Sequence, residues 1–438
     1  MREELLKAAQ EAVEISKSAG AQDAWAWASR SRAVDYSYRD GSLETVQEST
    51  SRGLSVQLYV DGRYSSQSTT DLRPDRLKAF IAEAVAMTRA LEVDPFRKIP
   101  DSALFAGRAA DTLDLVDSTV STINHDRRLE IVQALDAATH GHEKVISATS
   151  GVNHSHDVSA GASSNGFTGS QESTSFWFGA EVTVQDAGDK RPEGYHWVGG
   201  RHVGGLPDVS AVGKEALERT VTRMGSAKGP TQKATMIVEN RAAGRILGML
   251  MSTANARSIQ QGRSFFQGKV GAELVSKKLS ITDNPLLPRG LASRLYDGEG
   301  IAAKAMPVIE AGVVKNLYVD TYYGGKTSMT PTSGGPSNRV VTPGQGDLAA
   351  LMKAINNGVL VTEWLGGNAD GTTGDFSLGV AGFEVKNGKL GAPIGEMNIT
   401  GNLVTLFKGL TSLGGDVYPY GGILTPSLVF EGVQFSGA

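Results

Sequence analysis

The 438-residue sequence contains no cysteine, so disulfide bonds and thiolate ligands are both excluded. That fits a reducing cytoplasm, where such bonds are not used. Histidine is scarce and unevenly placed. All seven (His125, His140, His142, His154, His156, His196 and His202) lie between 125 and 202, and none follows. No run approaches the roughly 18 uninterrupted apolar residues of a membrane-spanning helix. With 43 basic against 47 acidic residues the net charge is −4, which gives no electrostatic footprint for nucleic acid. The expectation is a cytoplasmic protein with neither membrane nor nucleic-acid partners.

What is present is a globular composition, with 40% hydrophobic and 21% charged residues over a length that suits two or three domains. The first twenty residues, MREELLKAAQEAVEISKSAG, interrupt their apolar positions with Glu3, Glu4, Lys7 and Glu11. That pattern predicts an amphipathic surface helix ending near Gly20, not a signal peptide. Asp40-Gly41 and Asp61-Gly62 then punctuate alternating segments, which predicts two consecutive hairpins. Asp71 and Pro74 mark the start of a helix whose stripe is Leu77, Phe80, Ile81, Ala84, Val85 and Leu91.

Residues 93–123 read as a long connection. Helices follow near 125–140 and 208–225, with strands between them such as KVISATSGVNHSHDVSAG and STSFWFGAEVTVQD. Beyond 257 the pattern is mostly strands and glycine turns: GVVKNLYVDTYY, GVLVTEWLGG, FSLGVAGFEVKNGKLG and TPSLVFEGVQF, with Asn387-Gly388 as another hairpin turn. Helices near 346–357 and 401–412 interrupt them. The expected fold is α+β. A smaller N-terminal α/β domain covers 1–125, a middle segment of helices and strands 126–225, and a larger, mainly antiparallel β-rich domain 226–438.

The stretch MIVENRAAGRILGML, 236–250, reads as a buried strand running into an amphipathic helix. Asn240 is the expected N-cap, and Ala243, Ile246, Leu247 and Leu250 share one face. Arg241 and Arg245 lie one turn apart, the spacing at which zinc peptidases set two histidines. No imidazole or thiolate is available in this half, which counts against a metal here. The two arginines suit a carboxylate, either a peptide C-terminus or an acidic partner residue; a solvated helix face is the other reading. Glu239, at the strand end, is a possible acid or base without a visible partner.

His154 and His156 share a strand face, as a ligand pair or as solvent-facing histidines. PTSGGPSN (331–338) lacks the order of a phosphate loop, and GGNADGTTGD (366–375) lacks calcium-loop spacing, so both read as rim loops. There is no G-x-S-x-G. No catalytic residue and no metal ligand is assigned.

Three blocks in order resemble the TldD/PmbA family, on its PmbA (TldE) branch, over nearly the whole chain. They are RDGSLETVQESTSRGLSVQLYVDGRYSSQSTTDL (39–72), NPLLPRGLASRLYDGEGIAAKAMPVIEAGVVKNLYVDTYY (284–323), and GEMNITGNLVTLFKGLTSLGGDV with GGILTPSLVFEGVQFSG (395–437). The resemblance implies a helix that in TldD-type chains carries H-E-x-x-x-H, with a cysteine farther on, around a catalytic metal. Here Asn240 stands at the first histidine, Arg241 at the glutamate and Arg245 at the second histidine, while Gly244 remains. It therefore implies a metal-free TldE-type subunit, paired with a TldD-type chain that holds zinc or iron. Small or unfolded peptides would be cut in a chamber between them, in peptide-antibiotic maturation or antitoxin-like degradation. The alternatives are a homodimeric peptide-binding protein without protease activity, and a repurposed enzyme of peptide maturation.

Overall fold

The computed structural model describes residues 1–110 and 112–437. In chain order the first half holds α1 (Arg2–Ser18), β1 (Asp23–Arg39), β2 (Ser42–Val60), β3 (Arg63–Thr69), α2 (Pro74–Thr88), α3 (His125–Thr139), β4 (Val145–Ser163), β5 (Thr168–Val184), β6 (Glu193–Gly200) and α4 (Val209–Val221). The Asp-Gly pairs turn β1 into β2 and β2 into β3, with positive φ at Asp40, Gly41, Asp61 and Gly62 as a two-residue hairpin turn requires. All six strands form one antiparallel sheet, ordered β3-β2-β1-β4-β5-β6. The expected segments 1–125 and 126–225 thus contribute three strands each to the same sheet.

Helices cover one face of it. Ala24, Ala26 and Ala28 of β1, all buried, meet α1 and α2, and farther along the same strand Val34 and Tyr36 meet α3. Alternation in an extended strand puts these even-numbered residues on one side. Trp25 and Trp27 point the other way, against Phe167 and Tyr296. Beyond helix cover, the outer half of β2 is bare. β3 pairs only with Leu54–Val60, and residues 42–52 are exposed along both faces. In the stripe predicted for α2, Leu91 falls past the helix end and is exposed, while Leu77, Ile81, Ala84 and Val85 are buried.

The second half holds β7 (Gln232–Val238), α5 (Asn240–Met251), α6 (Ala256–Gln260), β8 (Ile281–Asp283), β9 (Met306–Glu310), β10 (Val313–Val314), α7 (Thr321–Thr327), β11 (Arg339–Val341), α8 (Leu348–Ile355), β12 (Gly358–Ala369), β13 (Asp375–Lys386), β14 (Lys389–Asn402), α9 (Leu403–Lys408), β15 (Leu410–Leu413), β16 (Ile423–Leu424) and β17 (Leu428–Ser436). A six-stranded sheet runs β14-β13-β12-β7-β17-β15 and a five-stranded one β10-β9-β8-β11-β16. The fold is the expected α+β, with mainly antiparallel sheets. Among the described residues no helix is long and apolar enough to cross a membrane.

Two segments depart from expectation. GVVKNLYVDTYY is strand only at Val313–Val314, and its end opens α7, because the Asp320 carboxylate accepts from the Tyr323 amide and caps a helix. The helix expected over 401–412 ends at Lys408, where Gly409 stops it, and 410–413 pairs with β17 instead.

Candidate functional site

The site forms where β7 hands over to α5. β7 lies between β12 and β17, so the strand end is fixed on both sides. Glu239, not Asn240, is the N-cap: its backbone carbonyl accepts from Ala242 and Ala243, and its side chain makes no capping bond. Asn240 is already inside the first turn. Its amide donates to Ser427 Oγ at 3.0 Å and its side-chain nitrogen to the Asp416 carbonyl at 2.6 Å. Asn240 therefore fastens the helix start to the 416–427 loop. The predicted stripe of Ala243, Ile246, Leu247 and Leu250 is fully buried and anchors α5 in the core. That anchoring sets which way Arg241 and Arg245 point.

Glu239 has the partner that sequence did not reveal. It is buried and accepts two bonds from Arg219 of α4, at 2.6 and 2.5 Å. Both oxygens of that carboxylate are engaged by the one Arg219 Nη2, so its role here is to anchor the Arg219 side chain. Just past the end of α4, Arg223 lies 2.6 Å from Glu363 of β12. Burial raises the Glu363 pKa above its ordinary value.

Arg241 donates to the Tyr195 carbonyl at 3.0 Å, lies 5.5 Å from that ring's centroid and pairs with Tyr418. Its Nη1 is buried without a partner among the described residues. Burial, and then the charge of Arg219, lower its pKa, yet a guanidinium stays charged at neutral pH. Arg245 is exposed and donates to the Gly367 carbonyl at 3.3 Å. The two arginines differ in setting: Arg241 is largely enclosed, whereas Arg245 lies on a solvated face.

These groups line a cavity of about 430 Å³ between β6 and α4 on one side and α5 and β12 on the other, walled by Tyr195, Trp364, Phe383 and Tyr418. Trp364 is fixed by donating to the Ala242 carbonyl at 2.8 Å. Near the cavity His196 is pushed down to about 4, first by burial and then by Arg241 and Arg219, so it is neutral at pH 7. Sequence reading missed Arg219 and Arg223. Arg219 sits in the last turn of α4 and Arg223 just beyond its end, four residues apart in sequence as Arg241 and Arg245 are.

The other sequence candidates lie elsewhere. His154 is buried, not solvent-facing, with Arg128 Nε 3.4 Å from its Nδ1, and burial lowers its pKa to about 4. His156 instead pairs with Glu172 at 2.8 Å. Only the end of 331–338 is packed in: Ser337 and Asn338 are buried, and Asn338 Nδ2 donates to the Asn284 carbonyl and Ser293 Oγ, while Gly334 and Pro336 are exposed. In the 366–375 loop, Asp370 caps its own turn through the Thr372 and Thr373 amides. Among the described residues no three metal-ligating side chains come together. The donor set at 239–245 does not fit a divalent cation either. It offers guanidinium groups, and its one carboxylate is already held by Arg219.

Models of three successive domains match this chain: PmbA/TldA metallopeptidase domain 1 over 28–88, central domain over 119–224 and C-terminal domain over 231–437. The chain is 28% identical over 443 residues to metalloprotease PmbA of Escherichia coli O157:H7, covering 100% of this chain and 97% of that one. A Bacteroides thetaiotaomicron VPI-5482 crystal structure, put forward as a modulator of DNA gyrase, superposes with a TM-score of 0.96 at 35% identity, covering 99% of this chain and 98% of the other. TldE of Thermococcus kodakarensis shares the fold, with a TM-score of 0.87 at 17% identity over 98% of this chain and 100% of its own.

Proposed function

This chain belongs to the PmbA/TldD metallopeptidase family, and from that premise we propose that it is a TldE-type subunit without a catalytic metal of its own. Hydrolysis of small or unfolded peptides then takes place on a TldD-type partner, whose H-E-x-x-x-H helix carries zinc or iron. What carries this reading is the content of the α5 window: by the family resemblance, Asn240, Arg241 and Arg245 stand where metal-binding relatives need two imidazoles and a carboxylate. Cationic guanidinium groups repel the ion that those relatives hold.

What this chain contributes is positional. α5 keeps its buried stripe, and with it the shape of one wall of a chamber shared by two chains of common fold. Asn240, Arg241 and Arg245 become contacts for peptide or partner, and Glu239 holds Arg219 in place behind them. Orienting a peptide against the reacting group lowers the entropic part of the barrier without any chemistry on this side. A chain free of cysteine suits work in a reducing cytoplasm.

The test mixes the purified chain with an H-E-x-x-x-H-bearing relative from the same organism and follows cleavage of an unstructured peptide. The pair is expected to cut, with loss of activity on chelation, while this chain alone does not. Chelator-sensitive cleavage by the lone chain sinks the proposal. Failure to bind the relative, with stable homodimers formed instead, favours the homodimeric peptide-binding reading.

A further inference from the structure

The cavity above α5 holds more positive than negative charge. Arg219, Arg223, Arg241 and Arg245 line it; among the described residues its wall carries one carboxylate, Glu363, with Glu239 just behind and Glu215 3.3 Å from Arg219. Two of the four guanidinium groups are matched by carboxylates, Arg219 by Glu239 and Glu215, and Arg223 by Glu363. Arg241 and Arg245 have only neutral acceptors: backbone carbonyls and, for Arg241, the Tyr418 side chain. Arg241 Nη1 is enclosed with nothing to donate to among the described residues, and a buried donor without an acceptor is costly to maintain. The aromatic walls, Tyr195, Trp364, Phe383 and Tyr418, offer apolar surface beside this charge.

We propose that this cavity receives the C-terminal carboxylate of a peptide, with the last side chain against the aromatic wall. The proposal rests on the reading of this chain as a peptide-handling subunit. A carboxylate presents two coplanar oxygens, which a planar guanidinium matches with parallel hydrogen bonds. Arg245, exposed at the mouth, meets the anion first, and Arg241 holds it deeper. A backbone terminus is the one carboxylate that every unfolded peptide carries whatever its sequence. Recognising it gives a sequence-tolerant protein a fixed direction of entry.

The test measures binding to the full-length chain, by calorimetry or by tryptophan fluorescence, which reports on Trp364 in the wall. Three N-acetylated unstructured decapeptides are compared: one with a free carboxyl terminus, its C-terminal amide, and an amide with an internal aspartate. The free acid is expected to bind at least about tenfold more tightly than either amide, and Arg241→Met should abolish that preference. Arg245→Ala, at an exposed position that folding tolerates, should reduce it at least about threefold. Equal affinity for acid and amide overturns the proposal, as does no binding of any peptide. Equal binding of the aspartate-containing amide assigns the cavity to acidic side chains and also overturns it. Inorganic phosphate is titrated alone, and binding of phosphate without any acid preference among the peptides is the remaining contrary result. None of these outcomes alters whether the chain pairs with an H-E-x-x-x-H relative, so the two readings fail separately.

Discussion

Asp283 and Arg241 are both charged and largely enclosed, yet their surroundings differ in what is left over. Asp283, at the end of β8, is 3% exposed. Its Oδ2 accepts from the Tyr318 hydroxyl at 2.9 Å and the Ser337 amide at 2.7 Å, and its Oδ1 accepts from the Ser337 hydroxyl. Both oxygens are used inside the chain. Around Arg241 the cations outnumber the carboxylates, and a donor remains unmatched. A closed polar cluster holds the fold, whereas one with a donor to spare can also take up a group that arrives from outside.

The contrast can be tested from its most stabilising member downward. Asp283→Ala leaves the Tyr318 hydroxyl and the Ser337 donors without an acceptor, and should lower the unfolding free energy by about 4 kcal/mol in denaturant titration. A loss within about 1 kcal/mol would show the cluster to be dispensable. Glu239→Ala strands Arg219 and should cost about 3 kcal/mol, less than the Asp283 change because Glu215, 3.3 Å away, remains as a partner. Replacing both Arg219 and Glu239 with leucine should recover most of that loss, and an additive double variant contradicts the pairing.

Glu299 sharpens the comparison through pH. It accepts from the Thr321 amide and hydroxyl at 2.8 and 2.7 Å, but burial first, and then Asp297 and Asp320, push its pKa from 4.5 up to about 7. A carboxyl whose folded pKa lies above the unfolded one contributes stability that is complete below pH 4.5 and lost as the pH rises through about 7. Glu299→Gln should therefore gain on the native chain between pH 4.5 and 7 and hold its advantage above. Stability curves that stay parallel across that window refute the assignment. Smallest of all, Arg245→Ala should change stability by no more than about 0.5 kcal/mol, because the side chain is exposed.

Which parts were legible in the sequence follows from the range of the forces involved. Asp40-Gly41, Asp61-Gly62 and Asn387-Gly388 fix their own backbone conformation locally, and all three hairpins stand where they were read. The α5 stripe is likewise a property of one helix. Arg219 against Glu239 spans twenty residues and a change of element, so no spacing rule announces it. His154 is buried because α3 lays Arg128 over β4, again a tertiary event. Asn240 was misassigned by one position, since Glu239 takes the cap geometry while Asn240 is drawn to the distant Asp416 carbonyl. The cap at Asp320 and the stop at Gly409 were visible signals, but a run of apolar residues around each suggested a longer regular element than the chain builds.

The bare outer half of β2 gives one strand two lifetimes. From Leu54 onward its amides are bonded on both sides and lie under helices, so their hydrogens exchange with solvent only on wide opening. From Ser42 to Gly53, among the described residues, it pairs with β1 alone. Every second hydrogen there faces water and should be replaced by deuterium almost at once, so the boundary at Gly53 should stand out as an abrupt step in an exchange profile.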